Sequence, residues 1–277
     1  MSFTWGGDGP APPLPQPGGI AAWLRIARRA ALLAALLVAG ALATLLLRLV
    51  ERPLGGLRRP VTPHITQGVC RAALAILGIG HGIRGRPIQG PGAVVANHAS
   101  WLDIFALNAH QRVCFVSKSE VARWPGIGLL ARITGTVFID RDRRQVVAQA
   151  ALFAHRLAGG QRLLFFPEGT SSDGMRVLRF RPTLFQAFMA PDLRGTLRVQ
   201  PVTVVYQAPP GADRRFYGWW GDMEFAAHLL QVLAAPRQGR VEVIYHPPLR
   251  AADFADRKAL AAAAEVAVRQ GMPESRR

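Results

Sequence analysis

From residue 93 onward, short apolar runs alternate with stretches whose apolar residues recur at helical spacing. The runs at residues 93–96, 113–116, 137–139, 163–166, 199–206 and 241–245 are rich in Val, Ile and Phe and predict buried strands. Residues 104–109, 145–157, 184–189 and 225–233 read as helices between them. An Ala-rich stretch, residues 255–270, predicts a peripheral C-terminal helix. This alternation predicts an α/β fold, with a mixed, largely parallel sheet flanked by helices. No internal repeat is visible.

The N-terminal pattern differs. Residues 30–47 contain no charged side chain. As a helix they extend about 27 Å, close to the hydrocarbon thickness of a bilayer. Arg25, Arg28 and Arg29 precede the run and Arg48 and Arg52 follow it. Their long side chains would reach the headgroups at either end. The run shows no polar face, which favours a membrane-spanning helix over an in-plane one; a buried helix of a soluble core is the alternative. It is long and starts late for a cleaved signal peptide. Residues 65–79 predict a second membrane-facing helix, and the Pro- and Gly-rich residues 1–19 a disordered tail. The expected organisation is a tail (1–19), a membrane-associated helical segment (20–80), a catalytic domain (90–250) and a C-terminal helix (251–277).

Composition narrows the partners. The net charge is +17, nearly all from arginine, and it suggests an anionic partner: nucleic acid, an acidic membrane surface or a phosphorylated substrate. A nucleic-acid binder has no use for the uncharged N-terminal run, and no nucleic-acid-binding motif is present, so no nucleic acid is expected. Cys70 and Cys114 form neither a disulfide framework nor a metal pattern. Neither a metal nor an organic cofactor is expected.

The candidate chemistry begins at Asn97-His98-Ala99-Ser100-Trp101-Leu102-Asp103, directly after the first predicted strand. His98 falls in the turn at the strand end. Ser100 reads as the N-cap of the next helix and Asp103 lies in its first turn, a common capping pattern. An aspartate so placed can fold back on the histidine, and a histidine held in one tautomer is a ready general base. Leu163-Leu164-Phe165-Phe166 is followed at once by Pro167-Glu168-Gly169-Thr170, a strand and a tight turn. Arg141 follows another strand, where a guanidinium could grip a phosphate. Lys118, one of two lysines in the chain, ends a third. Pro201, in Val199-Gln200-Pro201-Val202-Thr203, suggests a sheet edge.

Asn97-His98 with Ser100 and Asp103, followed by Phe166 to Thr170, resembles the glycerolipid acyltransferase family, best known for 1-acylglycerol-3-phosphate acyltransferases. The blocks from Gly135 to Arg141 and from Val199 to Thr203 lie in the order that family has them. The resemblance implies transfer of a fatty acyl group from a thioester, acyl-CoA or acyl carrier protein, to the hydroxyl of a lysolipid, most often 1-acylglycerol 3-phosphate. It implies an enzyme of phospholipid biosynthesis on the inner membrane, with the catalytic domain facing the cytoplasm. His98 and Asp103 would be catalytic, and Arg141, Glu168, Gly169, Thr170 and Lys118 would bind substrate. Asn97, Ser100 and Pro167 would be structural. Glu168 would contact the acceptor or order its loop, and Gly169 would let the backbone approach closely. A thioester is already activated, so no enzyme nucleophile is needed and the lack of a Gly-x-Ser-x-Gly elbow fits.

One position departs from the pattern. Members acting on lysophosphatidic acid often carry a basic residue after the Gly-Thr pair; here it is Ser171. Either Arg176, Arg179 or Arg181 compensates, or the acceptor differs. The run from Gly169 to Leu178 resembles a bacterial subgroup that includes lyso-ornithine-lipid acyltransferases, the second acceptor considered. A thioesterase, a lipase and a non-catalytic membrane scaffold are the alternatives from other classes.

Overall fold

The computed structural model describes residues 4–7, 14, 17–56, 58–139 and 146–276. Seven strands and one short one form its sheet: β1 (Gly80–Arg84), β2 (Gly92–Ala96), β3 (Cys114–Lys118), β4 (Val137–Ile139), β5 (Arg162–Phe165), β6 (Arg198–Gln207), β7 (Arg240–Tyr245) and β8 (Leu249–Arg250). The spatial order is β1-β7-β6-β2-β5-β3-β4, with β8 paired to β6. β6, β2, β5, β3 and β4 run parallel to one another. β7 is antiparallel to β6 and parallel to the edge strand β1.

The helices are α1 (Gly19–Gly55), α2 (Thr62–Leu77), α3 (Asp103–His110), α4 (Ile127–Thr134), α5 (Val146–Ala158), the single turn α6 (Pro191–Arg194), α7 (Phe225–Ala234) and α8 (Arg257–Gly271). They cover both faces of the sheet. Ala93, Val95, Leu163 and Phe165 point to one face, with Phe153 and Leu157 of α5 and Leu260 and Ala264 of α8. Val94, Ala96 and Leu164 point to the other, with Leu74 and Leu77 of α2, Leu107 of α3 and Val232 of α7. Strands buried on both faces read as continuous apolar runs, which is why the sequence exposes them so clearly.

Several expectations change. β1 has the Gly-rich, exposed sequence of an edge strand and carries no apolar run. Residues 184–189 belong to a 3₁₀ segment, Pro182–Met189. The C-terminal helix α8 is not peripheral: Leu260, Ala261, Ala264 and Val268 are buried, and its Asp256 cap accepts from the Lys258 and Ala259 N–H groups. Pro201 lies in the interior strand β6, not at an edge. It sits beyond the last β7 pair, Val202 with Tyr245, and short of the β8 pair at Val199, so the ladder asks no N–H of it.

α1 is 37 residues long and apolar enough to cross a membrane. Two of its arginines, Arg25 and Arg29, nonetheless do different work from the headgroup contacts expected of them. Arg29 donates to the carbonyls of Leu233 and Ala235 at 2.8 and 2.7 Å, and Arg25 to that of Ala234 at 3.0 Å, so both cap the C-terminus of α7. At the other end Glu51 accepts from Val61 N–H, Thr62 N–H and Thr62 Oγ1 at 2.6, 3.0 and 2.8 Å, at the start of α2. Between them Gly40 meets Val69 of α2 so closely that an added Cβ would lie 2.5 Å from a Val69 methyl. The helix is therefore fastened along the catalytic domain. Ile20, Leu24, Leu42, Leu46, Leu49 and Leu54 stay exposed on it. The segment predicted at residues 65–79 is α2, and its Cys70, Ala73, Leu74 and Leu77 are core residues.

Candidate active site

The parallel strands deliver their C-terminal ends to one crevice, where open α/β sheets bind ligands. Asn97 leaves β2 and is tied to β6: its Nδ2 donates to the Val204 carbonyl at 2.9 Å, and its Oδ1 accepts the Val204 N–H at 2.7 Å. This reciprocal pair extends the ladder by one side chain and fixes the direction in which His98 departs. Ser100 Oγ accepts from the Leu102 N–H at 3.3 Å, so it caps the turn leading into α3; the regular helix begins at Asp103.

His98 Nδ1 lies 2.7 Å from Asp103 Oδ2. The same oxygen accepts the N–H groups of Ala99 at 2.9 Å and Ser100 at 3.1 Å, and Oδ1 accepts the Tyr206 hydroxyl at 2.8 Å. These donors converge on Asp103, which is fully buried. A carboxylate can only accept, so Nδ1 carries the proton and Nε2 keeps its lone pair. The imidazole lies flat on Phe166, with ring centroids 3.9 Å apart and planes 9° from parallel.

The Phe166–Thr170 block comes to the same crevice from β5. Gly169 has φ 76°, a left-handed conformation that makes the turn and suits glycine. Its N–H is bonded to the Phe166 carbonyl at 3.0 Å. Glu168 does not reach the crevice. Its side chain is 1% exposed and accepts the His98 N–H at 3.3 Å. Burial, with a smaller contribution from Asp103, pushes its pKa well above the usual carboxylate range against the His98 and Leu178 N–H groups. Of its two expected roles the geometry shows loop ordering. The Pro167 carbonyl accepts the Arg181 N–H at 2.9 Å, and the Ser172 N–H and hydroxyl both bond the His98 carbonyl, at 2.8 and 3.1 Å.

A pocket of about 400 Å³ opens on His98, lined by Phe165, Phe166, Gly169, Thr170 and Ser171. Val116, Ile139, Phe153 and Leu184 give it an apolar side, and Lys118 and Glu120 a charged one. Trp219 and Trp220 close it from the segment before α7, held by the Trp219 N–H to the Ala99 carbonyl at 2.8 Å. The N-terminal stretch expected to be disordered also contributes. Thr4 lines the pocket, the Trp5 N–H donates to Thr170 Oγ1 at 3.4 Å, and the Arg176 guanidinium sits 5.2 Å from the Trp5 ring centroid. Arg141 lies outside the described residues. Arg176, Arg179 and Arg181 are not among the lining residues: Arg176 pairs with Asp173 and Trp5, Arg179 is exposed, and Arg181 Nε donates to the Glu168 carbonyl at 3.2 Å. Among the described residues no cluster of three or more His, Cys, Asp or Glu is placed to hold a metal.

Tyr206, Trp5 and the Trp219–Trp220 pair were not legible as site residues. They enter from distant segments, and the only sequence signal was an aromatic residue at a strand end or in a loop.

Comparison with known proteins bears on the family and the fold. The acyltransferase family model matches residues 80–205. A lyso-ornithine lipid O-acyltransferase of Rhodobacter capsulatus is 56% identical over 273 residues, 99% of this chain and 98% of that protein. A 1-acyl-sn-glycerol-3-phosphate acyltransferase of Neisseria gonorrhoeae is 41% identical over 121 residues, 42% of this chain and 47% of that protein. The solved 1-acyl-sn-glycerophosphate acyltransferase PlsC of Thermotoga maritima shares the fold, with TM-score 0.66 and 21% identity over 91% of this chain and 95% of that chain. A strand-end histidine held by a buried aspartate, in a domain similar over its whole length to such an enzyme, places the chain in the acyltransferase family.

Proposed function

We propose that this protein is a membrane-bound O-acyltransferase that moves a fatty acyl group from a thioester to the hydroxyl of a lyso-ornithine lipid. The observation that carries the reaction is the 2.7 Å His98–Asp103 contact at the edge of a pocket with one apolar side. His98 Nε2 takes the proton of the acceptor hydroxyl as its oxygen attacks the thioester carbonyl. Asp103 stabilises the imidazolium that forms, and the thiolate leaves carrying the electron pair of the broken C–S bond. General-base assistance of this kind contributes about 10²–10⁴-fold. The acyl chain lies against Ile139, Phe153 and Leu184. With the Gly169 N–H committed to Phe166, the backbone of Thr170 and Ser171 is the candidate support for the oxyanion.

The choice of acceptor rests on charge as well as similarity. Among the described residues the pocket lining holds one cation, Lys118, and one anion, Glu120. That pair suits an amino-acid headgroup bearing both an amine and a carboxylate. A phosphate monoester would favour a cluster of cations, and the position after the Gly-Thr pair is the buried Ser171. The donor is acyl-CoA or an acidic acyl carrier protein, the latter drawn by the arginine-rich surface. Thioester donors are cytoplasmic, so the pocket faces the cytoplasm and α1 rests on the inner membrane.

Detergent-solubilised protein given a palmitoyl thioester and either lyso-ornithine lipid or 1-acylglycerol 3-phosphate tests this. Transfer to the ornithine acceptor, lost by at least about 100-fold in His98→Ala with the fold retained, is expected. Transfer only to the phosphate acceptor would reassign the substrate. Undiminished transfer in His98→Ala would refute the mechanism, and thioester consumption independent of either acceptor would make the protein a hydrolase.

A further inference from the structure

A second pocket lies at the opposite end of the strands from His98. It has a volume of about 250 Å³ and is rimmed by the α1–α2 connection, the residues just before β3 and the start of β5. β5 alone separates the two ends by roughly 13 Å, at about 3.3 Å per residue. Three half-buried arginines line it: Arg59, Arg112 and Arg162. Asn108, Thr66 and Gln161 supply neutral polar groups, and among the described residues no Asp or Glu lines it.

We propose that this pocket binds a phosphate-type anion, distinct from any substrate of the His98 site. Each guanidinium is tethered at one point. Arg59 Nη1 donates to the Ile133 carbonyl at 3.0 Å, Arg162 Nε to the Ile88 carbonyl at 3.2 Å, and Arg112 rests against the His64 ring. Those contacts hold the forks in place and leave further N–H groups of each for a ligand. The Arg59 Nε–H is buried with no acceptor among the described residues, a group that native structures rarely leave unsatisfied.

The electrostatics agree. Burial, and after it the positive charge of Arg48, lowers the Arg59 pKa; Cys114 opposes this, Arg156 adds to it and Glu51 opposes it least. Burial and Arg112 lower that of Arg162. Like charges are thus crowded into a partly dehydrated pocket. Glu51, the carboxylate that acts on Arg59, is already held by Val61, Thr62 and Arg48. An anion with several acceptor oxygens would satisfy the three forks together, as bidentate arginine contacts to phosphate do. The pocket borders the helical hairpin whose outer face is apolar, so the phosphate of an anionic phospholipid headgroup and free phosphate are its two possible sources.

The test uses the full-length protein and three variants. Arg112→Ala alters the pocket, Arg162→Gln is the second pocket variant in case the first fails to fold, and Arg250→Ala removes the same charge from an exposed site with a side chain 67% accessible. One arm measures the rise in Tm on adding inorganic phosphate against chloride of equal ionic strength. The other measures binding to phosphatidylcholine vesicles with and without phosphatidylglycerol. A pocket variant should lose about fivefold in affinity for the phosphatidylglycerol vesicles beyond the Arg250→Ala control, while keeping acyl transfer in detergent. That result assigns a lipid headgroup. Loss of the Tm rise alone, with vesicle binding equal to the control, assigns free phosphate. Pocket variants that match Arg250→Ala in both arms overturn the proposal.

Discussion

Asp103 accepts from His98, Ala99, Ser100 and Tyr206 with no solvent exposure, and the last of these donors is the least expected. The Tyr206 phenol is buried at the end of β6, and both burial and the Asp103 charge push its pKa well up, so it stays a donor. It orients the carboxylate that orients the imidazole. Tyr206→Phe removes one hydrogen bond to a buried charge while the ring keeps its place. About a tenfold fall in kcat is expected, with the acceptor KM nearly unchanged. Steady-state kinetics on both substrates would decide it; an unaltered kcat would make the phenol a packing feature. His98 and Asp103 were legible because five positions on one strand–turn–helix unit place them together. Tyr206 was not, because it stands 103 positions from its partner and only the parallel β2–β6 pairing brings the two together. Glu168 shows the converse: the motif was legible, but its burial against the His98 backbone was a tertiary outcome.

At the scale of elements, α7 shows how helices outside the motifs support the site. Its His228 accepts the Trp101 Nε1–H on Nδ1 at 2.9 Å and donates from Nε2 to the Phe216 carbonyl at 3.2 Å. Burial lowers its pKa to about 4, and a second proton on Nδ1 would also collide with the Trp101 donor. The unfolded chain takes up that proton near pH 6.5 and the native state does not until about pH 4, so stability is lost as pH falls through this window. The loss from this one group by pH 4.5 is on the order of 2–3 kcal/mol. His110, also lowered to about 4 chiefly by burial, acts with the same sign. His228→Gln should therefore lose less stability than the wild type between pH 7 and pH 4.5, whatever its stability at pH 7. Equal losses in urea titrations at the two pH values would contradict the assignment. The strands β2 to β7 were legible from apolar runs, whereas β1, an edge strand of glycine and polar residues, had no such signal. α8 looked peripheral because its alanines carry little hydrophobic contrast; close packing on β6 is what buries them.

For the whole molecule, the placement of α1 decides how the enzyme meets its lipid. The ties of Arg25 and Arg29 to α7 and of Glu51 to α2 lie at opposite ends of the helix, about 33 Å apart at 1.5 Å per residue. A helix held by α7 at one end and by α2 at the other lies along the domain with apolar residues exposed. Leu46 and Val50, 65% and 58% exposed, sit one turn apart among these and touch little of the core. Replacing both with Asp should weaken binding to phosphatidylcholine vesicles at least about tenfold and leave the fold intact. Vesicle flotation and circular dichroism together would check it. Unchanged flotation would move the membrane contact elsewhere.

The sequence by itself determined the α/β class, the order of most strands and helices, the acyltransferase resemblance and the His98–Asp103 pair. All of these depend on local period or on residues close together in the chain. Tertiary structure alone decided that Arg25 and Arg29 serve a helix end, that Glu168 lies behind His98, that Thr4 and Trp5 join the pocket wall, and that three arginines from separate segments share a second pocket. The physical reason is common to them: each depends on which distant backbone or buried surface a side chain meets, and residue type and spacing do not encode that.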